Sequence, residues 1–411
     1  MPGLEYAMDR DRLNFLFLNI GHFLDHLFIL IFATVAALRL ATEWNMTYAE
    51  LIPYATPGFV AFGACAIPAG WLADKWSREG MMTIFFIGIG VCSMMTALAD
   101  TPLQIAISLF GVGVFGAIYH PVGLAMVVHG REKTGVPLAI NGIFGNMGVA
   151  SAALLTGYLI DVMDWRAAFV LPGILSVVIG IAYGLFVHSG RHVRAADHAS
   201  GAAAKKAAVG TMSVDRSTLM RVFAIIFFST AIGGLIFQST TFALPKVFDE
   251  RLTDIASTAT AVGSYAFIVF AAAAFAQLVV GFMVDRYSVR MVFAVVAGLQ
   301  AVFFAVMIQL SGVAALLVSL GFMLVVFGQI PINDVLVGRI TRSEWRSRVF
   351  ALRYIVTFSV AATAVPMIAG IHSTWGFSML FIVMAVAATL IFLAVLMLPN
   401  TAAVTGAAPA E

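Results

Sequence analysis

Apolar residues run almost unbroken through twelve stretches of the chain, at 14–38, 50–73, 81–99, 102–128, 136–161, 165–187, 218–243, 256–284, 290–311, 313–338, 347–370 and 375–398. Each is long enough to cross roughly 30 Å of hydrocarbon as a helix that rises about 1.5 Å per residue. One long polar interruption, 188–217, holds Arg191, Arg194, Lys205, Lys206 and Arg216 among Ala, Gly and Ser, and divides the spans six and six. The pattern predicts an all-α integral membrane protein. It consists of an N-terminal six-helix bundle (1–187), a cytoplasmic basic linker (188–217) and a C-terminal six-helix bundle (218–411). The polar start, 1–13, leads into an apolar run too long for a signal-peptide core, so that run is read as a retained first helix.

Basic residues orient the spans. With the N-terminus inside, inner segments hold 17 of the 23 Lys and Arg. Outer segments hold only Arg39, Arg166, Lys246 and Arg251, and Arg221 and Arg353 lie within spans. The positive-inside rule then puts both termini in the cytoplasm, and a bacterial-type inner membrane is expected. The halves also repeat. GWLADKWSRE (70–79) returns as GFMVDRYSVR (281–290), and Pro121 with Pro331, Arg131 with Arg342 and Trp165 with Trp375 keep the same offset of 210 or 211 residues. A repeated six-helix bundle with a midplane site is the architecture of many secondary transporters.

Composition narrows the function. The chain is 61% hydrophobic and 11% charged, with a net charge of +2 and a mean hydropathy of +0.99. A nucleic-acid partner is not expected, because phosphate binding needs a solvated basic face. Cys65 and Cys92 both sit in apolar runs and cannot build a disulfide framework or a zinc site. No cofactor and no enzyme activity are implied. The expected partners are a small-molecule substrate, protons and the lipid bilayer, with the chain as a monomer.

The loop residues Gly70, Leu72, Asp74, Lys75 and Arg78 resemble the Gly-x-Leu-x-Asp-Arg-type motif of the major facilitator superfamily. Three further stretches look like its fosmidomycin-resistance-type efflux branch: His22–Asp25, GVGVFGAIYHP (111–121) and INGIFGNMG (140–148). In that branch an aromatic-His-Pro unit follows a glycine-rich fourth helix, as Tyr119–His120–Pro121 does here. The chain departs from drug antiporters at Ala152–Ala153, where Gly-Pro is usual, at Ile107, where arginine is usual, and at Ser77 and Glu79 in the loop.

The resemblance implies two pseudo-symmetric bundles that alternate access. It also implies a cytoplasmic gate in which Asp74 and Asp285, with Gly70, Lys75, Arg78 and Arg286 around them, pair with helix starts or arginines of the other half. Arg346 and Arg348 are the nearest candidates for Asp74.

The residues with most chemistry lie in the first span. At about 100° per residue, Asn19, His22, Asp25 and His26 share one arc of roughly 120°. An ionisable group at bilayer depth costs at least about 2.5 kcal/mol and marks function by default. Asp25 is therefore expected to carry a coupling proton with His22 or His26 as partner, a structural hydrogen-bonded cluster being the alternative. His22 and His26 also spell H-x-x-x-H, but with no third such box among the spans a metal site is not expected.

His120 is placed beside the bend that Pro121 permits, as a donor to a freed carbonyl or to substrate. Asn141 and Asn146, and Gln238 in the seventh span, add polar groups; Tyr54, Tyr119, Phe144 and Phe237 add aromatic walls or packing. Arg353 needs a partner, and either Asp334 or an anionic substrate group supplies it. GVGVFG matches a dinucleotide fingerprint, yet inside a span it reads as small residues for close helix packing. The expected function is proton-coupled export of a small organic compound. Proton-coupled uptake of a small organic anion is the alternative, and transition-metal export a weaker one.

Overall fold

The computed structural model describes residues 2–131, 134–197, 216–340 and 343–399. Among these every regular element is helical. Helix α1 (Pro2–Val35) continues through a π-turn at Ala36–Leu40, and α2 (Tyr48–Lys75) contains a 3-10 turn at Ile52–Ala55. Then come α3 (Arg78–Ala97), α4 (Pro102–Val128, with a π-turn at Tyr119–Gly123), α5 (Gly135–Val162) and α6 (Ala167–Asp197). The second half has α7 (Arg216–Arg251), α8 (Ala259–Arg286), α9 (Val289–Met307) and α10 (Gly312–Ile340). A last run, Ser343–Leu396, is broken at Gly376, where φ is 68°. A side chain resists that left-handed conformation and glycine does not, so the run is two helices, α11 (343–375) and α12 (377–396).

Eleven of these runs are long and apolar enough to cross a membrane, and the eleventh, Val356–Leu396, contains the Gly376 break. The described residues thus form twelve long helices, the pattern of a multi-pass membrane protein. Helices α6 and α7 reach further into the basic linker than the apolar pattern does, and 198–215 lies outside the described residues.

The chain divides into two compact units. One holds α1 up to Leu40 and the helices from Tyr54 through α6, and the other holds Ala41–Pro53 and α7 onward. In the first, the extensive pairings are α1 with α5, α2 with α4 and α3 with α6. The second pairs α7 with α11, α8 with α10 and α9 with α12 in the same way. Glycine makes two of these contacts possible. A Cβ on Gly148 would lie 2.1 Å from the Phe23 carbonyl oxygen, and one on Gly113 would lie 2.0 Å from that of Gly58. Gly113 belongs to GVGVFG, so that stretch is a helix-packing surface, as small residues in membrane helices usually are.

The repeated serine of the two loops has a local physical reason. Ser77 accepts a hydrogen bond from the Gly80 amide at the start of α3, and Ser288 accepts one from the Met291 amide at the start of α9. Each satisfies a helix N-H that has no partner within the helix. The sequence treats 41–49 as an outer loop and 50–73 as a first-bundle span. Instead Ala41–Pro53 joins the second unit, with Leu51 and Ile52 fully buried and the Tyr48 ring set edge-on against His372 at 5.4 Å.

Candidate functional site

Three elements of the first unit meet around Asp25: α1, the π-turn of α4 and the start of α5. The polar arc of α1 turns inward, with Asn19, His22 and Asp25 buried and His26 half-buried. Asp25 is only 1% exposed. Its nearest ionisable partner is His120, whose Nε2 stands 3.5 Å from Asp25 Oδ2, outside hydrogen-bond range but close enough to pair if the imidazole is charged. Neither Asp25 oxygen accepts a hydrogen bond from the described residues. The sequence expects His22 or His26 as the partner; in the structure the imidazole within 4 Å of Asp25 is that of His120, from another helix.

His22 is turned toward α5. Its Nδ1 lies 2.8 Å from the Asn141 carbonyl oxygen, and its ring stacks on Tyr119 at 4.8 Å and 17°. A carbonyl only accepts, so Nδ1 carries the proton of the neutral ring. His26 Nε2 then lies 3.2 Å from His22 Nε2. Glycines give these groups room: a Cβ on Gly145 would fall 2.6 Å from His22 Nε2, and one on Gly116 would fall 3.2 Å from Asp25 Oδ1.

A second layer locks the helices. Asn141 donates through Nδ2 to Asn19 Oδ1 and to the Tyr119 hydroxyl, both at 2.9 Å, and Tyr119 donates to the Leu18 carbonyl at 2.7 Å. The π-turn that presents Tyr119 and His120 contains Pro121, which has no N-H for a regular turn. Gly70, expected in the gate, lies beneath that proline, where a Cβ would meet Pro121 Cβ at 3.2 Å.

One ring nitrogen each from His22, His26 and His120 lies within 4.8 Å of the others, a grouping that could hold a metal ion. His22 has only Nε2 to offer, because Nδ1 faces Asn141. The absence of a third H-x-x-x-H box hid this grouping, since the third imidazole comes from a different helix.

The other expected residues scatter. Tyr54 sits in the 3-10 turn of α2, Phe144 is half-buried on α5, and Asn146 is buried on the same helix. In the second unit Phe237 packs on Phe327 at 5.2 Å, Gln238 is half-buried and Arg353 is buried. At the loop after α2, exposed Asp74 accepts from Arg78 at 2.8 Å. Lys75, Asp285 and Arg286 are exposed, and the Arg286 guanidinium lies over the Phe282 ring at 3.9 Å. The side chains of Asp334, Arg346 and Arg348 lie outside the described residues, and with them the Asp334–Arg353 and Asp74–arginine pairings.

Two features escaped the sequence reading. Phe62 of α2 faces the His120 ring at 5.8 Å. In the second unit Gln300 donates to Gln329 Oε1 at 2.6 Å, and Ser229 donates to Asn333 Oδ1 at 3.2 Å, all four residues being buried. Ser229 and Gln329 stand 210 residues after Asn19 and Tyr119, so each half places polar groups at matching positions of its first and fourth helices. Isolated polar residues in apolar spans were the available signal.

Comparison with known proteins agrees with this layout. The Major Facilitator Superfamily profile matches residues 18–253 and again 226–411. The chain belongs to the Major Facilitator Superfamily. That membership agrees with a chain built of membrane-crossing helices. Its fold is similar to the crystal structure of a D-xylose-proton symporter, with a TM-score of 0.73 at 14% identity over 95% of this chain and 98% of that one.

Among curated relatives it is 23% identical over 142 residues to a gallate transporter of Pseudomonas putida, which is 34% of this chain and 32% of that protein. It is 26% identical over 151 residues to a multidrug resistance protein B homolog of Mycobacterium tuberculosis, which is 36% of this chain and 28% of that protein. The chain spans about a third of the length of the curated relatives it matches.

Proposed function

We propose that this superfamily member is a proton-coupled secondary transporter. It works by alternating access as a monomer in a bacterial inner membrane, with both termini cytoplasmic, and exports a small organic compound. The observation that carries the coupling is Asp25, a buried carboxyl group among three imidazoles, with no hydrogen bond from the described residues to either oxygen. A buried charge of this kind is costly unless it is paired or neutralised. Asp25 meets that condition as a neutral acid when it holds the proton, and by pairing with a protonated His120 when it has released it.

Asp25 carries the coupling proton and His120 is its immediate partner, with His22 and His26 completing the cluster. Asn19, Tyr119 and Asn141 hold the helices around it. Asp74, Lys75, Arg78, Asp285 and Arg286 form the cytoplasmic gate, in which Gly70 seats the bend of α4. The wider set Tyr54, Phe144, Asn146, Phe237, Gln238 and Arg353 is assigned to the substrate path.

Export is supported by the resemblance of the His22–Asp25 and Tyr119–Pro121 stretches to the efflux branch, and by the multidrug-resistance relative. A second reading, proton-coupled uptake of a small organic anion, draws on buried Arg353 and on the gallate and 4-hydroxybenzoate transporters of Pseudomonas putida among the relatives. A third, export of a transition-metal ion, draws on the grouping of His22, His26 and His120. One experiment separates them: a panel of organic compounds, organic anions and divalent metals in proteoliposomes under imposed pH gradients of both signs. Export predicts proton movement opposite to an organic substrate, and movement together points to the uptake reading. Flux of metal alone replaces both.

A further inference from the structure

We propose that His22, His26 and His120 form a binding site for one divalent transition-metal ion of the zinc class, with three imidazole ligands from two helices and the fourth position left to solvent. The site goes beyond the proton-coupled reading of the cluster and does not depend on it. Export of a metal ion would need such a site, but the site stands without export.

The spacing of the rings is the first argument. Zinc holds an imidazole nitrogen at about 2.0–2.1 Å, and a tetrahedral angle of about 109° then puts two such nitrogens about 3.3–3.4 Å apart. His22 Nε2 and His26 Nε2 are 3.2 Å apart. The His120 ring stands at 5.5 Å from both, centroid to centroid, and one nitrogen from each of the three rings lies within 4.8 Å of the others. Closing the widest gap to about 3.4 Å asks for no more than about 1.4 Å of movement at one ring.

The 3.2 Å separation also suits an N–H···N bond between the first two rings, and what lies behind the rings favours the metal. A metal-bound imidazole turns its other N–H to a carbonyl or a carboxylate, which fixes the tautomer and bares the ligating nitrogen. His22 is held in this way. Its Nδ1 lies 2.8 Å from the Asn141 carbonyl oxygen, which only accepts, so Nε2 is bare toward the other rings. The Tyr119 ring, stacked on it at 4.8 Å, holds the plane of the imidazole.

His120 has a carboxylate beside it: Asp25 Oδ2 stands 3.5 Å from His120 Nε2. Both Asp25 oxygens are buried and accept no hydrogen bond from the described residues. A divalent ion held by His120 sets a positive charge facing that carboxyl group, which meets the cost of its burial.

The donor set selects the metal. Neutral imidazoles suit zinc, cobalt, nickel and copper, whereas magnesium and calcium call for oxygen ligands. His26 and His120 are less buried than His22, which puts the open side of the site at their edge. Gly145 keeps the ground beside His22 clear, since a Cβ there would fall 2.6 Å from Nε2.

The test uses the full chain without a histidine tag, stripped of metal and held in lipid nanodiscs, with cobalt(II) as the spectroscopic probe and zinc as its competitor. One cobalt per chain should bind with the intense visible bands of a four-coordinate ion, one equivalent of zinc should remove them, and magnesium should not. His26→Gln and His120→Gln should each weaken cobalt binding by at least about 100-fold, because each removes a ligand and not merely its support. His129→Gln, at an exposed histidine outside the cluster, should bind as wild type. Only the weak bands of six-coordinate cobalt, wild-type affinity in either cluster variant, or an equal loss in His129→Gln would overturn the proposal.

If the cluster variants do not fold, zinc-edge X-ray absorption on the wild type decides: three imidazole nitrogens at about 2.0–2.1 Å are expected, and two or fewer overturn the site. No transport enters these assays. A failed site therefore leaves the proton-coupled reading untouched, and gradient-driven transport that persists in Asp25→Asn would remove that reading and leave the site standing.

Discussion

Replacing Gly145 with alanine pushes directly on the cluster. The added methyl would lie 2.6, 2.7 and 2.8 Å from three atoms of the His22 ring. Comfortable contact needs roughly 3.5 Å, so the ring must retreat by about 0.8 Å. A displacement of that size takes the 2.8 Å bond between His22 Nδ1 and the Asn141 carbonyl to the limit of about 3.6 Å, at which it no longer counts as one. Overpacking costs about 1–3 kcal/mol, and the lost interhelical bond adds about 0.6 kcal/mol. Alanine returns at most about 1 kcal/mol as the better helix former.

Gly145→Ala should therefore be destabilised by about 1–3 kcal/mol, and its pH profile of transport should shift. Gly142→Ala is the control on the same helix, because a Cβ there meets nothing within 4 Å; it should match or exceed wild-type stability. The assays are thermal unfolding in detergent and initial rates of pH-driven transport in proteoliposomes. If Gly145→Ala has the melting temperature and pH profile of Gly142→Ala, the packing of His22 against α5 is not what tunes the cluster.

Asn141→Ala removes donors to Asn19 and Tyr119 and keeps the backbone carbonyl that faces His22. It should lower thermal stability by about 1–2 kcal/mol, at roughly 0.6 kcal/mol or somewhat more per bond, while the pH midpoint of transport stays in place. Gly113→Ala drives a methyl to 2.0 Å from the Gly58 carbonyl oxygen, where no side chain can yield, and should cost more stability than any other glycine substitution named above; size-exclusion profiles and melting curves check it. Asp74→Asn breaks the exposed contact with Arg78, so it should leave stability within about 0.5 kcal/mol of wild type. If the gate is as proposed, the same variant should slow exchange in counterflow more than it weakens substrate binding.

The fold was legible because hydrocarbon thickness sets the length of each span and the repeat sets their pairing. The ends of α6 and α7, the boundary near Gly376 and the placement of Ala41–Pro53 moved, the boundary by a single left-handed residue and Ala41–Pro53 by its packing with the second unit. At the site, the inward arc of Asn19, His22, Asp25 and His26 followed from helical periodicity alone. The partner of Asp25 did not, because His120 lies 95 residues away and only packing brings it near. Gly116 and Gly145 were silent for a different reason: they act by the side chain they lack. The buried network of Ser229, Gln300, Gln329 and Asn333 was within reach, since each is a polar residue in an apolar span.

The most direct measurement compares wild type, Asp25→Asn and Asp25→Glu in proteoliposomes, recording substrate flux with and without an imposed pH gradient. Asparagine keeps the shape of the side chain and cannot take a proton; glutamate keeps the acid and moves it by about one methylene. The account predicts that Asp25→Asn loses gradient-driven accumulation by at least tenfold yet still exchanges substrate at equilibrium. Asp25→Glu should retain driven transport with a shifted pH profile. Full gradient-driven accumulation by Asp25→Asn would contradict the central claim that this carboxyl group carries the coupling proton.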